Sequence, residues 1–168
     1  YGNGTASTPT AATPIDLGEE VTSVEVADFD GDGILDIAAA LVGLSSNGKV
    51  AVVRNSGDEN RRSYDVASKV ILDASGWTTM CLVADDFNQD GRADLLLGGN
   101  FYNREVETAR NDASVGLILL NTGGPDFIPV VNAIAGLQLN RDLRELRMVR
   151  GADASWRIVA ANNNDQLQ

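Results

Sequence analysis

A nine-residue acidic loop occurs twice in this chain. The first copy is Asp28-Phe29-Asp30-Gly31-Asp32-Gly33-Ile34-Leu35-Asp36. The second, Asp86-Phe87-Asn88-Gln89-Asp90-Gly91-Arg92-Ala93-Asp94, follows 58 residues later with every position in step. Both copies place oxygen-bearing side chains at loop positions 1, 3, 5 and 9 and Gly at position 6. Hard oxygen donors at alternate positions, closed by a bend that only Gly takes freely, are what Ca²⁺ requires. A repeat of this length implies an array of similar units rather than one irregular domain.

The expected ligands are Asp28, Asp30, Asp32 and Asp36 in the first loop and Asp86, Asn88, Asp90 and Asp94 in the second. Position 7, Ile34 or Arg92, is expected to offer its backbone carbonyl, which leaves its side chain free to vary. An EF-hand shares the opening of this pattern but needs a bidentate Glu at position 12 and flanking helices. Position 12 here is Ala39 or Leu97, and strand-like runs flank both loops. Mg²⁺ fits less well, because it keeps more of its water and uses fewer protein ligands. An ion-free Asp/Gly turn would hold carboxylates a few ångströms apart with nothing to offset their repulsion.

The remaining composition mostly excludes. The 168 residues include 13 Lys and Arg against 24 Asp and Glu, a net charge of −11. That opposes binding to nucleic-acid backbones and to anionic membranes. There is no His, so the commonest general base and transition-metal ligand is missing. The single cysteine, Cys81, lies in the apolar run Met80–Ala84 and reads as a buried, inert thiol. No apolar stretch is long enough for a transmembrane helix.

From Val21 onward, short runs of Val, Ile, Leu and Ala alternate with Gly, Asn and Asp clusters, the mark of β-strands and turns. Residues 1–17 read as a linker or the end of a preceding blade. Residues 18–75 read as a first unit with strands at 22–27, 36–42, 49–54 and 64–72. Residues 76–135 form a second, with strands at 80–84, 93–97, 115–121 and 127–134. Residues 136–168 start a third, degenerate unit with strands at 143–149 and 156–161. Matched turns, Asn55-Ser56-Gly57 and Asn121-Thr122-Gly123, follow the third strand of each full unit. The fold class expected is all-β: β-propeller blades of four antiparallel strands in an incomplete ring, about two and a half blades where closed propellers have about 4–8. Such an array is expected to need the rest of its own polypeptide, or neighbouring chains, against its open blade edges and outer faces.

The chain resembles the FG-GAP/VCBS repeat family, relatives of the integrin α-subunit propeller. Val26–Gly33 and Ala84–Gly91 carry the match, with Asp36-Ile37-Ala38, Asp94-Leu95-Leu96 and the Leu119–Gly123 turn. The later segments Leu96–Tyr102, Asn111–Gly116 and Ala160–Asp165 look like the C-terminal part of secreted VCBS-repeat proteins of Bacteroidetes-type bacteria. The resemblance implies a Ca²⁺-binding propeller, an extracellular, cell-surface or periplasmic location, and a place near the end of a longer polypeptide. It does not choose an activity.

Three functions remain open from the sequence. The leading one is a non-enzymatic, Ca²⁺-stabilised segment for binding or assembly, with a protein or glycan ligand. The second is the propeller domain of a secreted polysaccharide-degrading enzyme, for which Glu105, Glu107, Asp112 and Asp165 are the acid/base candidates outside the loops. The third is a structural component of an envelope complex. The stretch Gly98–Arg104, with two aromatics and an Arg, is the candidate ligand-facing loop. Trp77 and Trp156 are expected to pack.

Overall fold

The computed structural model describes residues 14–42, 48–57, 63–73, 81–99, 115–130, 132–139, 141–153 and 155–163. Asn100–Ser114, with the acid/base candidates Glu105, Glu107 and Asp112, lie outside these, as do Asp165 and Trp77.

The chain is all-β, with three antiparallel sheets in sequence order among the described residues. The first contains β1 (Glu20–Ala27), β2 (Asp36–Val42), β3 (Lys49–Val53) and β4 (Val70–Asp73), paired in that order. The second repeats the arrangement with β5 (Cys81–Asp85), β6 (Asp94–Gly98), β7 (Leu117–Asn121) and β8 (Phe127–Val130). The third pairs β9 (Leu143–Arg150) with β10 (Trp156–Asn162). Each acidic loop connects the first and second strands of a four-stranded sheet.

The sheets stack face to face. The rear face of the first, with Ala38, Ala40, Val50 and Val52, packs on the front face of the second, with Leu82, Leu95, Leu97 and Leu119. The rear face of the second, with Cys81, Val83 and Leu96, packs on Leu143, Leu146 and Ala160 of the third. Gly98 lacks the side chain that would collide here: a Cβ would run into a Leu143 methyl. Central strands covered on both faces explain the unbroken apolar runs Ala38–Leu41 and Leu95–Leu97 where a half-exposed strand would alternate. Each fully buried Leu in these layers contributes about 1.5–3 kcal/mol. The first strands are neighbours from sheet to sheet, β1 against β5 and β5 against β9. The Leu82 amide donates to Ser23 Oγ at 3.1 Å, so a side chain of one sheet serves the strand edge of the next.

Two expected strands are shorter than their apolar runs. In the 64–72 segment, Tyr64 makes only an isolated bridge to Asn55. Asp65 then caps a single 3₁₀ turn, Val66–Ser68, by accepting from the Ala67 amide at 3.0 Å, and pairing resumes only at Val70. A side-chain oxygen that satisfies its own downstream amide competes with the ladder. The 127–134 segment leaves the sheet after Val130 and forms one helical turn, α1 (Asn132–Ala135), ended by Gly136 at φ 65°. The apolar outer face of the first sheet was expected to need a partner. Part of it is covered from within: Ala39, Leu41, Ala51 and Val53 are buried, with Leu17, Tyr64 and Val66 packed on them.

Trp156 does not pack as expected. It is 58% exposed, with the Arg150 guanidinium 5.6 Å from its ring centre. Cys81 is buried as expected. Burial pushes its thiol up to about 11, and its Sγ lies 3.2 Å from the Arg144 carbonyl oxygen. No helix among the described residues is long and apolar enough to cross a membrane.

Candidate metal centre

The two loops are built alike. Position 1 accepts two amides in each: Asp28 takes Gly31 and Gly33 N–H at 2.7 and 2.8 Å, and Asp86 takes Asp90 and Gly91 N–H at 3.0 and 2.8 Å. Position 5 accepts from the amide of position 7, from Ile34 at 2.7 Å in one loop and Arg92 at 3.0 Å in the other. These bonds curl the chain so that its carboxylates converge. In the first loop one oxygen each of Asp28, Asp30 and Asp36 lie within 4.8 Å of one another. Asp32 is not part of that group; its Oδ1 holds the Ile34 amide. The matching positions of the second loop are Asp86, Asn88 and Asp94, with one amide in place of a carboxylate.

Position 9 has a second task that the loop pattern alone does not reveal. Asp36 is fully buried, and its two oxygens accept from Phe29 N–H at 3.0 Å and Asn55 N–H at 2.8 Å. Asp94 is equally buried and accepts from Phe87 N–H at 3.0 Å and Asn121 N–H at 2.8 Å. Each ties the loop to the turn after the third strand. Burial raises both carboxyls above the ordinary Asp value, against the pull of those backbone bonds. In the first loop the neighbouring charges of Asp30 and Asp32 raise Asp36 further, and in the second Asp90 does the same for Asp94. A divalent cation would remove that repulsion.

Asn55 and Asn121 were not among the expected site residues. Each Nδ2 donates to the carbonyl before position 9, Leu35 at 3.3 Å and Ala93 at 3.0 Å, and each Oδ1 accepts from the Gly two residues on. Asn121 Nδ2 also reaches Phe29 O at 2.8 Å, linking the first loop to the second sheet. Phe29 itself is buried between the sheets, edge-on to Phe127 with ring centres 6.2 Å apart. The matched Asn-x-Gly turns were the legible trace of this.

Position 4 carries a backbone demand as well. Gly31 has φ 80° and Gln89, its counterpart, has φ 62°; Gln89 is the only non-Gly residue with positive φ among those described. Replacing Gln89 with Gly should stabilise the protein by about 0.5–1 kcal/mol, because a side chain is disfavoured there. Urea denaturation measures it, and an unchanged or lower midpoint counts against the assignment.

The loops differ in their cationic neighbours. Arg92 folds back on its own loop, pairing with Asp90 and donating from Nε to Asn121 O at 3.1 Å. Slight desolvation opposes the shift, but hydrogen bonds from Asn88 and Arg92 hold the Asp90 carboxyl below its usual range. Arg54 stands farther from the first loop, its Nε 3.7 Å from Asp30, and bonds to Gly124 O at 3.1 Å. The first loop therefore has one more carboxylate and a more distant counter-charge.

Comparison with models of protein families, with curated proteins and with solved structures returns no match.

Proposed function

We propose that this chain is a Ca²⁺-binding β-propeller segment of FG-GAP/VCBS type, located outside the cell, at its surface or in the periplasm. Its role is binding or assembly rather than catalysis, with a protein or glycan ligand. The observation that carries the reading is the convergence of Asp28, Asp30 and Asp36 oxygens within 4.8 Å of one another at a strand junction. An all-oxygen, multiply charged donor set suits a hard cation. The propeller assignment is supported by the stacked sheets, by first strands that neighbour one another, and by loops at the same strand junction in each four-stranded sheet. The absence of His from the sequence supports a non-catalytic role.

Calorimetric titration with Ca²⁺ tests the reading and ranks the sites. Two sites are expected, the first loop tighter because it offers more carboxylate charge. Asp28→Ala should remove the tighter site and Asp86→Ala the weaker one. The reverse ranking would refute the charge argument, and no Ca²⁺ binding to the wild-type chain would refute the site.

A further inference from the structure

Asn121 belongs to neither acidic loop, yet it bonds to both. Its backbone N–H donates to Asp94 Oδ1 at 2.8 Å and its Nδ2 to Ala93 O at 3.0 Å. Its carbonyl accepts from Arg92 Nε at 3.1 Å. One residue therefore frames three consecutive residues, 92–94, where the second loop closes. The same Nδ2 also donates to Phe29 O in the first loop at 2.8 Å. Phe29 N–H is held in turn by Asp36 Oδ2 at 3.0 Å. Three bonds thus connect the position-9 carboxylate of one loop to that of the other: Asp36 to Phe29, Phe29 to Asn121, and Asn121 to Asp94. All three are buried, where water competes poorly and an unmade bond is costly.

A second strut runs beside this path. Arg54 Nε lies 3.7 Å from Asp30 Oδ2, and Arg54 Nη2 donates to Gly124 O at 3.1 Å. The 121–124 turn is thus held from the first loop's side by Arg54 and from the second's by Arg92, whose side chain lies against Gly123. Asn55, which matches Asn121 in the first sheet, donates to Leu35 O at 3.3 Å and reaches no other sheet among the described residues.

We propose that the two loops bind Ca²⁺ with positive cooperativity and that Asn121 carries the coupling, a step that rests on the Ca²⁺ reading of the loops. An ion at the first loop draws on Asp28, Asp30 and Asp36 and fixes the segment between them that contains Phe29. A fixed Phe29 carbonyl holds Asn121, and Asn121 holds residues 92–94. The second ion then meets a loop that is already ordered, so it binds more tightly. Linkage makes the effect reciprocal: an ion in the second loop raises the affinity of the first by the same factor. Repulsion between the two ions acts in the opposite direction and weakens with salt.

Asp28→Ala separates coupling from charge. Four carboxylates around Ca²⁺ leave the first loop at −2, whereas three without an ion leave it at −3. Charge alone would therefore make the second loop bind Ca²⁺ more tightly in Asp28→Ala than in the wild-type chain with its first loop filled. Coupling through Asn121 has the opposite sign. Calorimetric titration of the whole chain in about 0.15 M KCl, where exposed charges are screened, reads it. The second loop of Asp28→Ala should bind about 5-fold more weakly than the second ion of the wild type. In an Asn121→Ala background that difference should vanish or reverse, while Asn55→Ala, the like change in the matching turn, should keep it. Should Asn121→Ala fail to fold in a thermal melt, hydrogen exchange decides. Asp86→Ala keeps only the first loop's ion, and adding Ca²⁺ to it should slow exchange at the Asn121 backbone amide beyond any slowing in the third sheet. Equal or tighter second-loop binding in Asp28→Ala, a difference that survives Asn121→Ala, or an Asn121 amide that does not respond would overturn the coupling. Two independent sites would remove the coupling and leave the ion reading standing, whereas no Ca²⁺ binding at all would remove both.

Discussion

Replacing Asp94 with Ala should destabilise the protein by about 3–5 kcal/mol without Ca²⁺, and by more when the ion is bound. The carboxylate is fully buried and accepts from Phe87 and Asn121 N–H at 3.0 and 2.8 Å. Its removal leaves one buried amide, that of Asn121, and one part-buried amide, that of Phe87, without acceptors, and each loss falls in the charge-assisted class of hydrogen bond. At this chain length the melting point should drop by about 10–15 °C. Asp36→Ala should behave alike, because its partners Phe29 and Asn55 repeat the geometry at 3.0 and 2.8 Å. Asp28→Ala is the contrast. Asp28 also holds two amides, but those bonds are exposed and water can replace the acceptor. Without Ca²⁺ its effect should be about 1 kcal/mol or less, and its larger effect should appear only with the ion present. Thermal melts of the three variants in Ca²⁺ and in EGTA separate a carboxylate that also holds the fold from one that acts through the ion alone. Equal losses for all three under both conditions would show that the distinction is wrong.

Chelation is the second large effect. An ion that binds only the folded chain stabilises it by about 2.7 kcal/mol per site at 100 times its Kd. Two occupied sites would add about 5 kcal/mol, so EGTA at low salt should lower the melting point by about 10–20 °C. The pH dependence should change sign with the ion. Asp36 and Asp94 have carboxyls raised above the ordinary value of 3.8 by burial. Between that value and their raised folded values, the native state binds more protons than the unfolded chain. In EGTA these two groups therefore add stability as the pH falls from neutral into that window. With Ca²⁺ the same carboxyls must stay ionised to hold the ion, so acid removes stability and the two curves converge. Asp90, whose carboxyl is held low, loses its contribution only below 3.8 and does not disturb the comparison. No shift under EGTA at neutral pH would sink the Ca²⁺ reading.

Much of the candidate site was legible because its determinants are local. Alternating oxygens and a Gly at loop position 6 define a backbone path within nine residues. The structure brings three of the first loop's four expected carboxylates together and assigns the fourth, Asp32, to the turn. Gln89 was not legible as a strained position, because its side chain gives no hint of a left-handed backbone that Gly31 takes freely. Asp36 and Asp94 read as ligands, while their role as acceptors for Asn55 and Asn121 depends on segments 19 and 27 residues away. The overlong strand at 64–72 reflects the same limit: apolar β-formers announce a strand, but a single Asp cap ended the pairing.

The sequence by itself determined that the chain is all-β, where most of the strands run, and which two loops carry oxygen side chains at alternate positions. Period-2 or continuous apolar runs, bounded by Gly, Asn and Asp, encode strands through sterics that act over a few residues. Only the tertiary structure decided which faces meet. Ala39 and Leu97 occupy the same repeat position, yet one packs beneath Leu17 and Tyr64 while the other packs on the first sheet. Val24 and Leu82 also correspond, and one is half exposed while the other is buried. Local pattern assigns each residue to a face, but burial is a property of whatever lies across that face, and packing partners distant in sequence supply it.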